Sequence, residues 1–298
     1  MNVLSLFDGC SGARLALARA DKEVDQYFTC EIDKYASMVT KLNFPNTTQL
    51  GDVTKVNFEM LPKIDLLIGG SPCQDLSFAK GNGKGLEGER SGLFYKYFEA
   101  LEVLRKKNPE IKFLLENVKM KQEWKDIISE KLGVQPLFIN SADFSAQNRQ
   151  RLYWTNIPVD EWIPCDDKLG DILDVHQFSR KMSNIKKQDK RVSNCIQVGE
   201  ADIKGRDVIK RVYSPEGKGP ALTTCGGGHR EPKVYVPPLQ WRKLTPIECE
   251  RLQTVPDNYT KCGQKETGEI VEISNTQRYK MLGNGFTISV IAHIIKNL

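Results

Sequence analysis

Short apolar runs alternate with amphipathic stretches over the first ~155 residues, the rhythm of alternating strands and helices. Val3–Phe7 is a largely apolar run that ends in Asp8-Gly9-Cys10-Ser11-Gly12, and Ala13–Ala20 then reads as a helix. Tyr27–Cys30 predicts a second strand ending at Glu31, and Lys34–Leu42 a helix stopped by Pro45. Gln49–Val53 predicts a short strand that ends around Gly51-Asp52. Ile64–Ile68 predicts a buried strand, stopped by Gly69-Gly70-Ser71-Pro72. Ser91–Lys106 carries Leu93, Phe94, Tyr97, Phe98, Leu101 and Leu104 at helical spacing. Ile111–Leu115 and Val134–Ile139 predict strands on either side of a helix at Trp124–Leu132, and Arg151–Thr155 predicts another strand. This order predicts an α/β sheet with largely parallel strands. The chemically interesting residues fall at predicted strand ends, where open α/β sheets bind ligands.

After Pro164 the rhythm breaks. Between His176 and Pro238 only short β-like pieces stand out, Val208–Val212 and Lys233–Val236, among Gly/Pro turns. A helical pattern returns at Thr245–Gln253, and a strongly apolar helix at Thr287–Ile295. The 298 residues allow one large or two modest domains. No apolar run approaches the ~20 residues of a membrane helix. The start carries Asp8 and no basic segment, so no secretion signal is expected.

Charge changes the picture of the irregular middle. The whole chain has a net charge of +5. His176–Lys243 holds 15 Lys+Arg and 6 Asp+Glu, a local excess of +9 against −4 for the remainder. A solvated surface insertion would explain this; so would a module that faces a polyanion, since clustered cations neutralise phosphates. The eight cysteines form no C-x-x-C pair and there are only three histidines, so no zinc site is expected. Scattered cysteines without a secretion signal read as reduced thiols in a cytosol.

Several motifs carry candidate chemistry. The Asp8–Gly12 turn is glycine-rich but is not the G-x-G-x-x-G dinucleotide pattern. Glu31, at the next strand end, suits a ribose hydroxyl, and Asp52 suits an adenine amino group; each alone would also fit a structural acid. Cys73 follows Ser71-Pro72 on a turn leaving a buried strand, where a thiolate would be a nucleophile and a neutral thiol mere packing. Glu116 ends an apolar strand; partial desolvation there would raise its pKa and suit a proton donor, although a capping role would fit as well. Arg149 and Arg151 alternate, so on a strand they would share a face and call for an anionic or electron-rich partner. Gly283-Asn284-Gly285 reads as a turn opening a helix.

Taken in order, these blocks resemble the cytosine-C5 DNA methyltransferases. They are Phe7-Asp8-Gly9-Cys10-Ser11-Gly12, Glu31, Gly51-Asp52-Val53, GGSPCQDLS (69–77), SGLFY (91–95), LLENV (114–118), QNRQRLYW (147–154) and LGNGF (282–286). They span Val3 to about Pro158 and resume at Arg242, leaving out only the basic middle. Ile64–Cys73, Asp75–Ser77, Lys84–Gly88 and Val290–His293 are similar to the animal de novo class and its bacterial or phage relatives, and a stand-alone prokaryotic or phage enzyme is the simplest reading. Gly285 departs from the serine that many bacterial relatives carry after Gly-Asn.

The resemblance implies a Rossmann-like, S-adenosylmethionine-dependent methyltransferase fold, an α/β mixed sheet with helices on both faces. A small, irregular, β-rich target-recognition domain would be added to it. It divides the chain into a catalytic domain of residues 1–164 and 265–298 and a recognition domain of residues 165–264. It makes Cys73 the nucleophile and Glu116 the proton holder, with Arg149 and Arg151 orienting Glu116 and the base. S-adenosylmethionine would lie over Phe7, Asp8, Gly9, Cys10, Ser11 and Gly12. Glu31 and Ile32 would meet its ribose side, and Asp52 and Val53 its adenine. Pro72, Leu93, Asn284, Gly285 and Phe286 would close the pocket. DNA would meet Ser71, Gln74, Ser77, Lys80 and Lys84, on or beside a loop (Phe78–Arg90) that closes over a flipped base. Gln147, Thr223, Thr224, Gly226 and Gly227 would meet it from the other side.

Double-stranded DNA is therefore the expected partner, and a cognate restriction endonuclease a candidate one. The resemblance suggests a monomer without metal or membrane, in the cytoplasm and at the nucleoid. The rivals are the tRNA-methylating branch, whose Cys-Phe-Thr signature is absent here, and a silent DNA-binding paralogue, which the intact Cys73, Glu116, Arg149 and Arg151 oppose. A nicotinamide oxidoreductase would leave the SPCQ and ENV blocks unexplained.

Overall fold

In the computed structural model, residues 1–72, 92–174, 183–192, 194–238 and 240–298 are described. Eight strands come first: β1 (Asn2–Leu6), β2 (Gln26–Cys30), β3 (Thr47–Gln49), β4 (Leu66–Gly70), β5 (Lys112–Val118), β6 (Leu137–Asn140), β7 (Gln147–Asn148) and β8 (Gln150–Thr155). Seven of them form one sheet in the order β3-β2-β1-β4-β5-β8-β6. The pairs from β3 through β5 are parallel, and β8 runs antiparallel to both β5 and β6. The sheet is therefore mixed, with one reversed strand.

Successive residues of the central strands point to opposite faces. Val3, Leu66, Ile68 and Leu114 enter one core, shared with the helices α1 (Gly12–Arg19) and α2 (Lys34–Asn43). Leu4, Leu6, Leu67, Phe113 and Leu115 enter the other, under α3 (Leu93–Lys107) and α4 (Gln122–Leu132). Burial on both faces explains why these strands read as unbroken apolar runs rather than alternating ones.

After β8 the chain leaves the sheet. A closed barrel, ordered β10-β11-β13-β14-β9, is built from β9 (Ser183–Val192), β10 (Cys195–Ala201), β11 (Arg211–Tyr213), β13 (Lys233–Val236) and β14 (Gln240–Lys243), with a one-turn helix α5 (Asp207–Lys210) before β11. Between them, β12 (Gly219–Pro220) pairs in parallel with β7, Gly219 opposite Gln147 and Pro220 opposite Asn148. The chain then returns through α6 (Pro246–Leu252), a hairpin of β15 (Cys262–Gln264) and β16 (Ile270–Glu272), α7 (Asn275–Asn284) and α8 (Ile288–Ile295). Val290, Ile291, Ile294 and Ile295 of α8 complete the core over α1 and α2.

Two buried ion pairs hold α6. Arg242 meets Glu248 with two hydrogen bonds of 2.8 and 2.6 Å, and Arg278 meets Glu250 at 2.9 Å. Glu248 also caps its own helix, accepting from the Thr245 backbone N–H at 2.7 Å, while the Thr245 hydroxyl accepts from the Glu248 N–H. Removing one member of such a pair strands a buried charge.

Four local expectations are corrected. Gly69 and Gly70 do not stop β4 but belong to it; a Cβ on Gly69 would fall 2.7 Å from the Leu6 carbonyl oxygen, so only glycine fits there. The strand expected at Gln49–Val53 ends at Gln49, because the Asp52 side chain accepts from the Thr54 N–H and opens a 3-10 turn instead. Val208–Val212 is helical up to Lys210 before the strand begins. Gly283 and Asn284 are the end of α7, and Thr287 is the residue that precedes α8.

Gly283, on α7, packs closely against the backbone of Thr223 and Thr224. A Cβ there would lie 2.1 Å from the Thr223 carbonyl oxygen, backbone that has little room to yield. Gly283→Ala is expected to lower the unfolding free energy by about 1–3 kcal/mol, the usual penalty for overpacking, in chemical denaturation. An unchanged midpoint would show that residues 222–224 shift freely.

Candidate active site

The chain moves from β1 outward to β2 and β3 on one side, then crosses to β4 and β5 on the other. Such a reversal opens a crevice beyond the carboxyl ends of β1 and β4. A cavity of about 550 Å³ lies there, bordered by the loop after β1, Glu31–Asp33, Asp52-Val53, the turn after β4, Glu116, both arginines and the 280–286 segment.

The first loop is tightly wound. Phe7, Gly9 and Ser11 adopt φ angles of 58°, 61° and 63°, the left-handed region that costs a non-glycine residue energy. Asp8 holds the winding in place. Its buried carboxylate accepts the Tyr27 hydroxyl at 2.9 Å and the Ser11 hydroxyl at 2.8 Å. Burial pushes this carboxyl up to about 6, against the pull of those hydroxyl donors. Asp8 borders the cavity, and its side chain also serves the loop's own shape.

Glu31 accepts three backbone N–H bonds, from Gly9 at 2.8 Å, Ile32 at 2.8 Å and Asp33 at 2.7 Å. A carboxylate has about four acceptor positions, so capacity for one more donor is left. Asp52 uses Oδ1 on the Thr54 N–H and hydroxyl, and those bonds hold its carboxyl below the usual range. Ile32 is 80% exposed and gives the same cavity an apolar face beside the two acids. Two carboxylates beside an apolar face match a nucleoside, whose hydroxyls and amino group donate while its ring is flat and apolar.

At the other pole, Glu116 of β5 stands opposite Gly70 of β4. A Cβ on Gly70 would lie 3.2 Å from Glu116 Oε2 and 3.0 Å from the Phe286 ring, so glycine lets the two approach. Arg151 Nε sits 2.8 Å from Glu116 Oε1, with both side chains largely buried. Burial pushes the thiols of Cys10 and Cys30, which border the cavity, up to about 12, so neither is a thiolate at neutral pH. Cys73, Gln74, Ser77, Lys80, Lys84 and the 78–90 loop lie outside the described residues.

Three expectations change here. Arg149 and Arg151 both border the cavity but take different partners. The Arg149 guanidinium donates to the carbonyls of Leu222 (3.0 Å), Gly283 (3.2 Å) and Gly285 (3.1 Å) rather than pairing with Glu116 as Arg151 does. Gln147, expected at DNA, has no exposed surface; its amide donates to the Leu252 carbonyl and Gln253 Oε1 and accepts the Leu222 N–H. Ser71, also expected at DNA, is buried, and its hydroxyl accepts from Asn117 Nδ2 at 2.9 Å. Pro72, Leu93, Gly285 and Phe286 border the cavity as expected, as does the exposed Asn284. Thr223, Gly226 and Gly227 are exposed and Thr224 half-buried, on the segment that leaves the cavity rim.

Sequence reasoning missed Asn117, which ties the turn before Cys73, and Gln253, whose amide also reaches Thr287. The ENV block contains Asn117, so that signal was present; a glutamine ending a helix carried none. It missed Lys280 too, which meets Asp33 at 2.5 Å on the cavity rim.

The Asp8 carboxyl makes a pH-dependent contribution. Its folded pKa of about 6 lies above the ordinary 3.8, so it adds stability that is full below about pH 4 and lost as pH rises through 6. The unfolding free energy of the wild type minus that of Asp8→Asn, without cofactor, is expected to rise by roughly 2–3 kcal/mol from pH 7 to pH 4. A difference that stays flat with pH would show that Asp8 titrates normally.

The whole chain matches the model of the C-5 cytosine-specific DNA methylase family, over residues 1–194 and 166–298. It is 27% identical to the orphan methyltransferase M.SPBetaI of Bacillus phage SPbeta, covering 100% of this chain and 97% of that protein. It is 28% identical to the type II methyltransferase M.HhaI of Haemophilus parahaemolyticus, covering 100% and 94%. Its fold is similar to that of an E. coli prophage-encoded DNA modification methyltransferase, with a TM-score of 0.67 and 21% identity over 100% of this chain and 98% of the other. The DNMT2 structure from Spodoptera frugiperda follows at a TM-score of 0.64 and 16% identity, over 99% and 98%. Among the described residues, no group of three or more His, Cys, Asp or Glu could hold a metal ion, and no helix is long and apolar enough to cross a membrane. S-adenosylmethionine is the methyl donor of this family's fold, and the two-acid, one-apolar-face cavity fits its nucleoside. The chain belongs to the C-5 cytosine-specific DNA methylases.

Proposed function

We propose that this chain methylates C5 of a flipped-out cytosine within a specific sequence of duplex DNA, as a DNA (cytosine-5-)-methyltransferase. The observation that carries this reading is the Glu116–Arg151 pair, facing the same cavity as the Glu31 loop and the turn that leads into Cys73. Glu31 and Asp52 would hold the ribose and adenine of S-adenosylmethionine, with Ile32 against the ring. The bound cofactor supplies an electrophilic methyl group beside the target base.

Cytosine C5 is a weak nucleophile. The Cys73 thiolate would add to C6, forming an S–C bond and moving the 5,6 π electrons to C5. Glu116 would hold a proton at N3, offsetting the charge that gathers on the ring. Arg151 fixes that carboxylate and would face the carbonyl oxygen as charge develops there. C5 would take the methyl carbon as its bond to the donor sulfur breaks, that electron pair staying on the sulfur; the C5 proton would then leave to a base and the thiolate be expelled, restoring the 5,6 double bond. The base must first leave the stack, since a paired cytosine hides both C5 and C6.

Residues 1–164 and 265–298 would form the catalytic domain and residues 165–264 the reader, the stretch from α6 to Tyr259 packing back on the core and the cavity. The basic excess of the middle segment supports DNA as its partner. The +9 segment would lie along phosphates, which position the protein without specifying sequence.

The test is expression in a host without cytosine methylation, followed by a genome-wide map of 5-methylcytosine. Methylated DNA at one consensus is expected. Methylated RNA with unmethylated DNA would overturn the substrate. Cys73→Ala should abolish turnover while S-adenosylmethionine still binds, and Glu116→Gln should lower kcat by roughly 10²–10⁴-fold. Full turnover by Cys73→Ala would assign the nucleophile elsewhere.

A further inference from the structure

The segment from Leu222 to Lys233 is tied down at both ends and free at its tip. At its start, the Leu222 carbonyl accepts from Arg149, its N–H donates to Gln147, and the Thr223 carbonyl rests where Gly283 lacks a side chain. Arg149 and Gly283 border the cavity, so the segment sets out from the mouth that would receive the target base. At its end stands Lys233, only 2% exposed. Its Nζ donates to the carbonyls of His229 (2.6 Å) and Glu231 (3.1 Å) and lies 5.8 Å from the Trp241 ring centre.

An interior lysine is costly, and burial pushes this one down to about 8. It is also placed against electrostatic preference. Lys243 stands directly across from it on β14, and like charges opposite each other on neighbouring strands repel. Glu231 lies between them, accepting from Lys243 at 2.9 Å. Barrel packing alone would be met by an apolar residue at position 233. What the ammonium adds is the clamp on two loop carbonyls.

The clamp shapes what precedes it. Cys225 and His229 adopt φ angles of 46° and 62°, left-handed values that cost a non-glycine residue energy, on either side of Gly227 and Gly228 at 82° and 64°. Residues 226–230 are all exposed. Gly226, Gly227 and Gly228 offer backbone alone, so His229 and Arg230 are the side chains this tip presents. A guanidinium with five donors in a rigid fork matches O6 and N7 of guanine.

We propose that Lys233 is a positioning residue that holds the 225–231 loop in one shape, and that Arg230 on this loop reads a guanine of the recognition sequence. This inference rests on duplex DNA being the substrate. The experiment maps 5-methylcytosine produced by the wild type, Arg230→Ala, Lys233→Met and Lys233→Arg in a host without cytosine methylation, with steady-state kinetics on target DNA. Arg230→Ala, an exposed change, should keep methyl transfer but lose discrimination at one guanine position by roughly 10- to 100-fold.

Lys233→Met should relax the same position and raise KM for DNA, leaving kcat at saturating DNA within about twofold. Lys233→Arg, which can still donate to the carbonyls, should recover most of the discrimination. An unchanged consensus for Arg230→Ala, or relaxation at a position other than guanine, would overturn the reader. If Lys233→Met folds poorly, the consensus from Lys233→Arg decides: relaxation as deep as in Arg230→Ala would overturn the clamp. No methylated DNA from the wild type would remove the substrate reading as well, a distinct failure.

Discussion

One buried amide holds the active-site architecture together. Gln253 has no exposed surface, and its side chain makes four hydrogen bonds. It donates to the carbonyls of Leu282 (2.6 Å) and Gly285 (3.2 Å) and accepts from Gln147 (2.9 Å) and Thr287 (2.8 Å). An amide has two donors and two acceptor positions, so this one is saturated. Its own backbone carbonyl accepts the Ile288 N–H, at the start of α8. Thr287 is in turn the acceptor for the Ser141 hydroxyl beside β6. Helix α6, the α7–α8 link and the entry to β8 are thereby fixed at one point. A chain of satisfied polar groups in a dry interior specifies one arrangement more sharply than apolar contacts, which tolerate sliding.

The electrostatic design divides by depth. Glu248 and Glu250, both without exposed surface, are each matched to an arginine and to backbone donors, and they brace α6. Glu31 and Asp52 hold their positions through backbone N–H groups and keep acceptor capacity toward the cavity. Glu116 is intermediate, paired with one arginine and only 13% exposed. Carboxylates matched on every side serve structure. Those matched on one side keep acceptor capacity open toward the cavity.

The central sheet was legible in the sequence because its strands are buried on both faces and its helices carry regular apolar stripes. The site acids were legible because they end those strands. What escaped shows where that signal fails. In β10 the residues turned inward are Cys195, Gln197, Gly199 and Ala201, while Ile196 and Val198 are only half-buried. The polarity is inverted, so no strand pattern appears. Helix α7 buries Arg278, paired with Glu250, on the same side as Tyr279, Met281 and Leu282, so charge interrupts its apolar stripe. The two arginines of the QNRQR block looked equivalent because spacing cannot say that one lies on β8 and the other in the link before it. Their different partners follow from that one-residue offset.

The segment around β12 meets β7, the link before β8 and α7 partly through main-chain atoms. Gly219 donates to the Ala146 carbonyl at 2.6 Å, β12 pairs with β7, Arg149 takes the Leu222 carbonyl, and the Thr223 carbonyl sits over Gly283. Every amino acid but proline brings the same N–H and C=O to such a junction. At these points the fit depends on the path of the backbone, while Lys218 adds side-chain bonds to the Ser145 and Cys165 carbonyls. Side chains along the barrel's exposed loops are free to diverge without loosening the joint. The joint can hold while the exposed surface beyond it changes, like a tool with interchangeable heads.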